Sequence, residues 1–85
     1  MANKNAKVTI EGVEYTFQKL PVKAAFDLRE QWLDSRGGID QPKMYDLVLE
    51  NIVISPKMKL EDFEEIWIVD ELVSKAIDFQ YGKGK

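Results

Sequence analysis

On either side of Gly12 the chain alternates apolar and polar residues. Lys7-Val8-Thr9-Ile10 precede it and Val13-Glu14-Tyr15-Thr16-Phe17 follow, the period-two pattern of half-buried antiparallel strands. With Glu11-Gly12 as a two-residue loop, Ile10 faces Val13 and Val8 faces Tyr15, so every apolar side chain falls on one face. Glu11 suits the first central position of a type I′ turn poorly, because both central residues need positive φ. A longer loop with Gly12 at a bulge is the alternative. A lone hairpin is marginal in water, and the rest of the chain must cover its apolar face. That requirement sets the expected fold class: α+β, an N-terminal β-hairpin packed on a bundle of three to four α-helices.

The helical patterns that follow can supply the cover. Pro21 stands at a first helical position, and Val22, Ala25, Phe26, Trp32 and Leu33 recur at amphipathic spacing. Gly37-Gly38 after Arg36 stops this helix, which spans about Pro21 to Ser35. Asp40 caps a second helix with Pro42 in its first turn, where amides have no intrahelical partner. Met44, Tyr45, Leu47, Val48 and Ile52 form its buried stripe, widened by Leu49 and Val53. Pro56 drives Ser55 out of helical geometry, so the helix reaches Asn51 or Ile52 and leaves by an extended exit. The β-branched Ile52-Val53-Ile54 run alternatively forms a short strand.

From Leu60 the helical pattern resumes. Phe63, Ile66, Trp67, Val73, Ala76 and Ile77 lie on one side, and Glu61, Asp62, Glu64 and Glu65 sit in the first turns, where acids suit a helix N-terminus. Ile66-Trp67-Ile68-Val69 is apolar all round. Either the helix breaks near Val69 and restarts at Asp70-Glu71, or both faces are covered. Gly82 ends the last helix. The expected core is Val8, Ile10, Tyr15, Phe26, Trp32, Val48, Phe63, Val73 and Ile77.

At 85 residues and 45% hydrophobic, the chain is read as one domain over 1–85, with the polar ends 1–6 and 82–85 expected to be flexible. It has no cysteine and no histidine, which excludes disulfides, thiolate chemistry and the usual zinc, copper and haem ligands. Ser35, Ser55 and Ser74 lack a histidine to activate them, and neither GxGxxG nor GxxxxGK[ST] occurs. The paired carboxylates Glu61/Asp62 and Glu64/Glu65 are already explained by helix electrostatics, and no calcium-loop spacing surrounds them. The reading is therefore non-enzymatic, with no catalytic, cofactor-binding or metal residue. No run approaches the roughly 18 apolar residues of a membrane span, and the N-terminus lacks the apolar stretch of a signal peptide. A cytoplasmic protein with no membrane partner is expected.

Charge is uneven. Residues 1–38 carry six Lys/Arg against five Asp/Glu (+1) and residues 39–85 carry six against ten (−4), which together give the net −3. An acidic half repels phosphate backbones, so nucleic acid is not expected as a partner. Protein is. Most of the aromatic residues are needed inside, and Trp67, Ile68, Phe79 and Tyr81 are the candidates left for a partner surface: Ile68 lies off the main stripe, and Phe79 and Tyr81 flank the helix end on different faces.

The order of these pieces resembles the small tail assembly chaperones of long-tailed bacteriophages, of the type that infect Gram-positive hosts. The residues that carry the likeness are the hairpin Ile10-Glu11-Gly12-Val13-Glu14-Tyr15, the apolar Ile52-Val53-Ile54 before Pro56, the Phe63-containing acidic helix start, and the last helix Leu72-Val73-Ser74-Lys75-Ala76-Ile77-Asp78-Phe79-Gln80. The resemblance implies a chaperone that covers hydrophobic stretches of the tape-measure protein and helps recruit tail-tube subunits. It would act in the cytoplasm of the infected or lysogenic bacterial host and be absent from the mature virion. In many such phages a frameshift near the gene's end makes a longer product, and Gly82-Lys83-Gly84-Lys85 is compatible with a flexible joint to one. Self-association is expected from the all-round apolar Ile66–Val69 segment. The alternatives are a small acidic phage regulator with a helix-turn-helix-like core, imitated by the Pro21 to Ile52 helices, and a structural tail adaptor or completion protein.

Overall fold

A computed structural model describes residues 5–82. Strand β1 (Asn5–Ile10) and strand β2 (Val13–Gln18) form the hairpin, followed by α1 (Val22–Gln31), α2 (Gln41–Asn51), a short β3 (Val53–Ser55), a 3₁₀ turn (Leu60–Asp62) and α3 (Ile66–Tyr81). The protein is α+β. Of the ends expected to be flexible, residues 1–4 and 83–85 lie outside the described residues. Asn5 and Ala6 belong to β1, opposite Gln18 and Phe17.

The hairpin takes the two-residue loop. Glu11 has φ 52° and Gly12 φ 79°, both in the left-handed region that a type I′ turn demands, and Val8 pairs with Tyr15 and Ile10 with Val13. Glutamate at positive φ is strained, because its Cβ crowds the following carbonyl. Glu11→Asn should raise stability by about 0.5–1 kcal/mol, read as a higher denaturant midpoint with unchanged slope.

After Ile52, which keeps helical angles, the chain becomes extended up to Ser55, the residue that Pro56 holds out of helical geometry, and this extended exit is itself paired. β3 joins β2 antiparallel, with Phe17 opposite Val53, and the sheet order is β1-β2-β3. The Gln18 amide donates to the Ile52 carbonyl at 2.8 Å, and the Gln18 side chain donates to the Asn51 carbonyl at 2.8 Å. The expected two-stranded hairpin on helices is thus corrected to a three-stranded sheet with three helices. The reason is long-range: the β-branched run after α2 is delivered beside β2. The Lys57 ammonium then donates to the Glu50 carbonyl at 2.7 Å and the Val53 carbonyl at 3.2 Å, satisfying acceptors that the end of α2 leaves open.

Asp40 caps α2 by accepting from the Lys43 amide, with Pro42 in the first turn. The loop from α1 is shorter in helix and richer in bonds than expected. α1 stops at Gln31, before the glycines; Leu33 bridges Ile39, and the Asp34 carboxylate accepts from the Arg36 and Gly38 amides, each at 2.8 Å. These bonds replace the helical ones that would have carried α1 to Ser35.

Fully buried side chains are Phe17, Val48, Leu49, Ile52, Val53, Leu72 and Val73, joined in the core by Ile10, Tyr15, Leu28, Trp32, Val69 and Ala76. Val8, Phe63 and Ile77, expected in the core, are partly buried against it. Phe26 is a correction: it is 54% exposed. Ala25, Leu28 and Trp32 face inward instead, and on a helix that face leaves Val22 and Phe26 beside the buried arc and open to solvent, while Leu33, past the helix end, is 43% exposed. α3 begins at Ile66, later than expected, because Leu60–Asp62 forms a separate turn with the Lys59 amide donating to Asp62 at 2.9 Å. It then runs unbroken through Val69. At Gly82 any side chain would collide with the Asp78 carbonyl, which accepts the Gly82 amide at 2.9 Å. Among the described residues no helix is long and apolar enough to cross a membrane.

Candidate interaction surfaces

The four residues singled out in the sequence do not form one surface. Trp67 lies in the first turn of α3 and is 47% exposed, beside Ile66 at 75%, while Ile68 is partly buried against the core. Phe79 and Tyr81 stand at the other end of the helix, roughly 20 Å along its axis from Trp67 at 1.5 Å per residue. Both are occupied inside the fold. The Phe79 ring packs 6.0 Å from Phe17 with the Lys19 ammonium 5.0 Å from its centroid. Tyr81 meets Trp32 edge-on at 5.8 Å, and its hydroxyl donates to the Ala25 carbonyl at 2.7 Å. Their aromatic rings hold α3 to β2 and α1, which accounts for them without a partner.

The N-terminal end of α3 is an apolar step with an acidic border. Glu61, Asp62, Glu64 and Glu65 are all exposed just before Ile66 and Trp67. These carboxylates do not converge: among the described residues no group of three or more acidic side chains is placed to hold a metal ion. Across from this end, the Tyr45 hydroxyl on α2 donates to the Asp70 carboxylate on α3. Burial, with the Asp70 bond and charge added, pushes the Tyr45 phenol up to about 12, and a bond from Gln41 acts the other way.

This shift has a pH consequence whose sign is fixed. The unfolded phenol ionises at 10.0 and the folded one only near 12, so the unfolded chain releases its proton first and stability falls as pH rises between them. Burial raises Tyr15 and Tyr81 in the same direction. The expected profile is flat below pH 10 and declining above it, with a shallower decline in Tyr45→Phe, measured as urea midpoints from pH 8 to 12. A Tyr45→Phe profile that matches wild type would contradict the assignment.

A second surface escaped the sequence reading. Val22, Phe26 and Leu33 follow one another at spacings of four and seven through α1 and just past its end, the signal that could have found it. Val22 is 73% and Leu33 43% exposed. Where this stripe meets the end of α3, a cleft of about 240 Å³ opens between Leu20, Phe26, Arg29, Gln80 and Tyr81. The Arg29 guanidinium stacks on both rings, 4.8 Å from Phe26 and 5.3 Å from Tyr81. It has no acidic partner: among the described residues the ion pair present is Glu71–Lys75, an exposed contact of 3.9 Å. A larger, mixed-charge groove of about 880 Å³ between α2 and the 57–62 segment is lined by Asp46, Glu50, Lys57 and Lys59 among others. Lys57 there is committed to the Glu50 carbonyl of α2 and the Val53 carbonyl of β3.

Comparison of the chain with protein-family models, with curated proteins and with solved structures gives no match.

Proposed function

We propose that this protein is a non-enzymatic tail assembly chaperone, which binds aggregation-prone helical stretches of a tape-measure protein, keeps them soluble and helps recruit tail-tube subunits. The observation that carries the reading is the exposed Ile66-Trp67 step on the first turn of α3, bordered by exposed acids. An apolar contact with a polar rim is the anatomy of a protein-binding surface, and an amphipathic client helix is the shape that lies on it. The resemblance in element order and in the Leu72–Gln80 helix supports the same reading. Phe79 and Tyr81 are left out of the contact, since they pack inward. The chaperone acts in the host cytoplasm and leaves before the virion matures.

The regulator alternative has less support. A helix-turn-helix joins its helices by a turn of about 3–4 residues, whereas everything from Trp32 to Asp40 intervenes between α1 and α2, closed by the Leu33–Ile39 bridge. Its second helix would carry one basic residue, Lys43. An adaptor that stays in the tail would be found in purified particles.

The test is co-expression with the cognate tape-measure protein, followed by solubility and pull-down assays, with a DNA-binding assay alongside. Wild type should keep the client soluble at low and moderate salt, because hydrophobic burial is hardly screened. Trp67→Ser should lose most of that capture while melting normally. Retention of DNA with no client complex would replace the chaperone reading by the regulator.

A further inference from the structure

The two exposed apolar surfaces carry opposite charge and sit at opposite ends of α3. One end offers Ile66 and Trp67 bordered by Glu61, Asp62, Glu64 and Glu65. The other offers Val22 and Phe26 around the cleft, bordered by Lys19, Lys23 and Arg29. About 20 Å of helix keeps them apart within one chain, so neither can cover the other. We propose that copies of this protein associate head to tail, the Trp67 end of one seating in the Phe26–Arg29–Tyr81 cleft of the next.

Size, charge and symmetry agree on this occupant. A cavity of about 150 Å³ admits benzene, so a cleft of about 240 Å³ has room for an indole ring. The Arg29 guanidinium lies over the Phe26 and Tyr81 rings and has no carboxylate partner among the described residues, and an incoming Glu64 or Glu65 supplies one. A two-fold dimer built on one end alone would lay acids on acids, or Arg29 on Arg29, and like charges across a contact are costly, whereas an antiparallel pair that engaged both unlike ends would stop at two copies, an outcome that sedimentation separates from a growing series. Head-to-tail contact is therefore the arrangement that the charges favour. It need not close after two copies, and it yields rings or open chains. The self-contact stands independently of the tape-measure reading. In that reading it occupies the Trp67 face until a client displaces the neighbouring copy.

The experiment is sedimentation velocity on the full chain from micromolar to hundreds of micromolar concentration, with far-UV circular dichroism as a fold control. Wild type should show a concentration-dependent series that continues past dimer and shortens with salt. A head-blocked variant, Trp67→Ser, and a tail-blocked variant, Arg29→Glu, should each be monomeric. Mixed one to one, they should form a dimer that grows no further, because one intact head and one intact tail remain. Phe26→Ser serves as a second tail block. Wild type that stays monomeric throughout, blocked variants that still associate alone, or a folded mixture that makes no dimer would each overturn the proposal. Client capture by a strictly monomeric protein would separate its failure from that of the chaperone reading.

Discussion

Leu72→Ala should lower stability by about 2–5 kcal/mol, whereas Phe26→Ala, the larger truncation, should cost about 1 kcal/mol or less. Leu72 is 0% exposed at the centre of α3, packed among the sheet and α2 residues of the core, and removing its branch leaves a cavity that the surrounding side chains close only in part. Phe26 is more than half exposed, so its removal loses little burial and one exposed stacking contact with Arg29. A domain of this size has on the order of 4–13 kcal/mol of stability in total, and Leu72→Ala therefore brings it near unfolding at ambient temperature. Chemical denaturation decides the matter. Equal losses for the two variants would mean that α1 turns Phe26 inward, against the arrangement described above.

Gln80→Leu should be nearly as damaging, at about 2–4 kcal/mol, although it replaces a polar residue by an apolar one at a buried site. Gln80 is 8% exposed, and its side-chain carbonyl accepts from the Leu20 amide at 2.6 Å while its side-chain amide donates to the Leu20 carbonyl at 3.1 Å. The pair imitates two rungs of backbone ladder and ties the end of α3 to the strap between β2 and α1. Leucine fits the space but leaves a partly buried N–H and C=O without partners, and each unmet group costs about 1–3 kcal/mol. Gln80→Glu separates this from a packing effect. Its carboxylate accepts from the Leu20 amide but is a charge held out of water with an oxygen facing the Leu20 carbonyl, so Gln80→Glu should be at least as destabilised as Gln80→Leu at neutral pH. It should recover toward wild type as the added carboxyl is protonated on acidification, measured against wild type at each pH. A Gln80→Leu variant as stable as wild type would show that water meets the Leu20 groups at no cost.

Of the four candidate surface residues, one is exposed in the structure. Trp67 was marked by an apolar run too wide for a single buried stripe, and it does lie in the open beside Ile66. Phe79 and Tyr81 carried the same aromatic signal and are used internally, by Phe17 and by Trp32 and Ala25. Arg29 carried no signal at all, since one arginine on an amphipathic helix is ordinary. Its interest comes from the two rings that flank it and the acid that does not.

Local chemistry settled what depends on neighbours along the chain. The alternation around Gly12 sets which residues share a face, because a slip by one residue would turn Tyr15 and Phe17 outward, while the choice between a two-residue loop and a bulge was left to the backbone at Glu11 and Gly12. Asp40 and Pro42 start α2, and Pro56 keeps Ser55 out of helical geometry, for reasons confined to a turn of backbone. Tertiary structure decided the rest. Through α1 and just past its end, Val22-Phe26-Leu33 and Ala25-Leu28-Trp32 are both apolar stripes, and periodicity records which residues share a face without recording which face meets a neighbour. The Ile52–Ile54 run was compatible with a helix end or a strand until β2 lay beside it. Ile66 to Val69 was compatible with a break until Val69 found the core and Ile66 and Trp67 did not. In each case the deciding contacts join residues far apart in sequence, and their energy is absent from any single segment read alone.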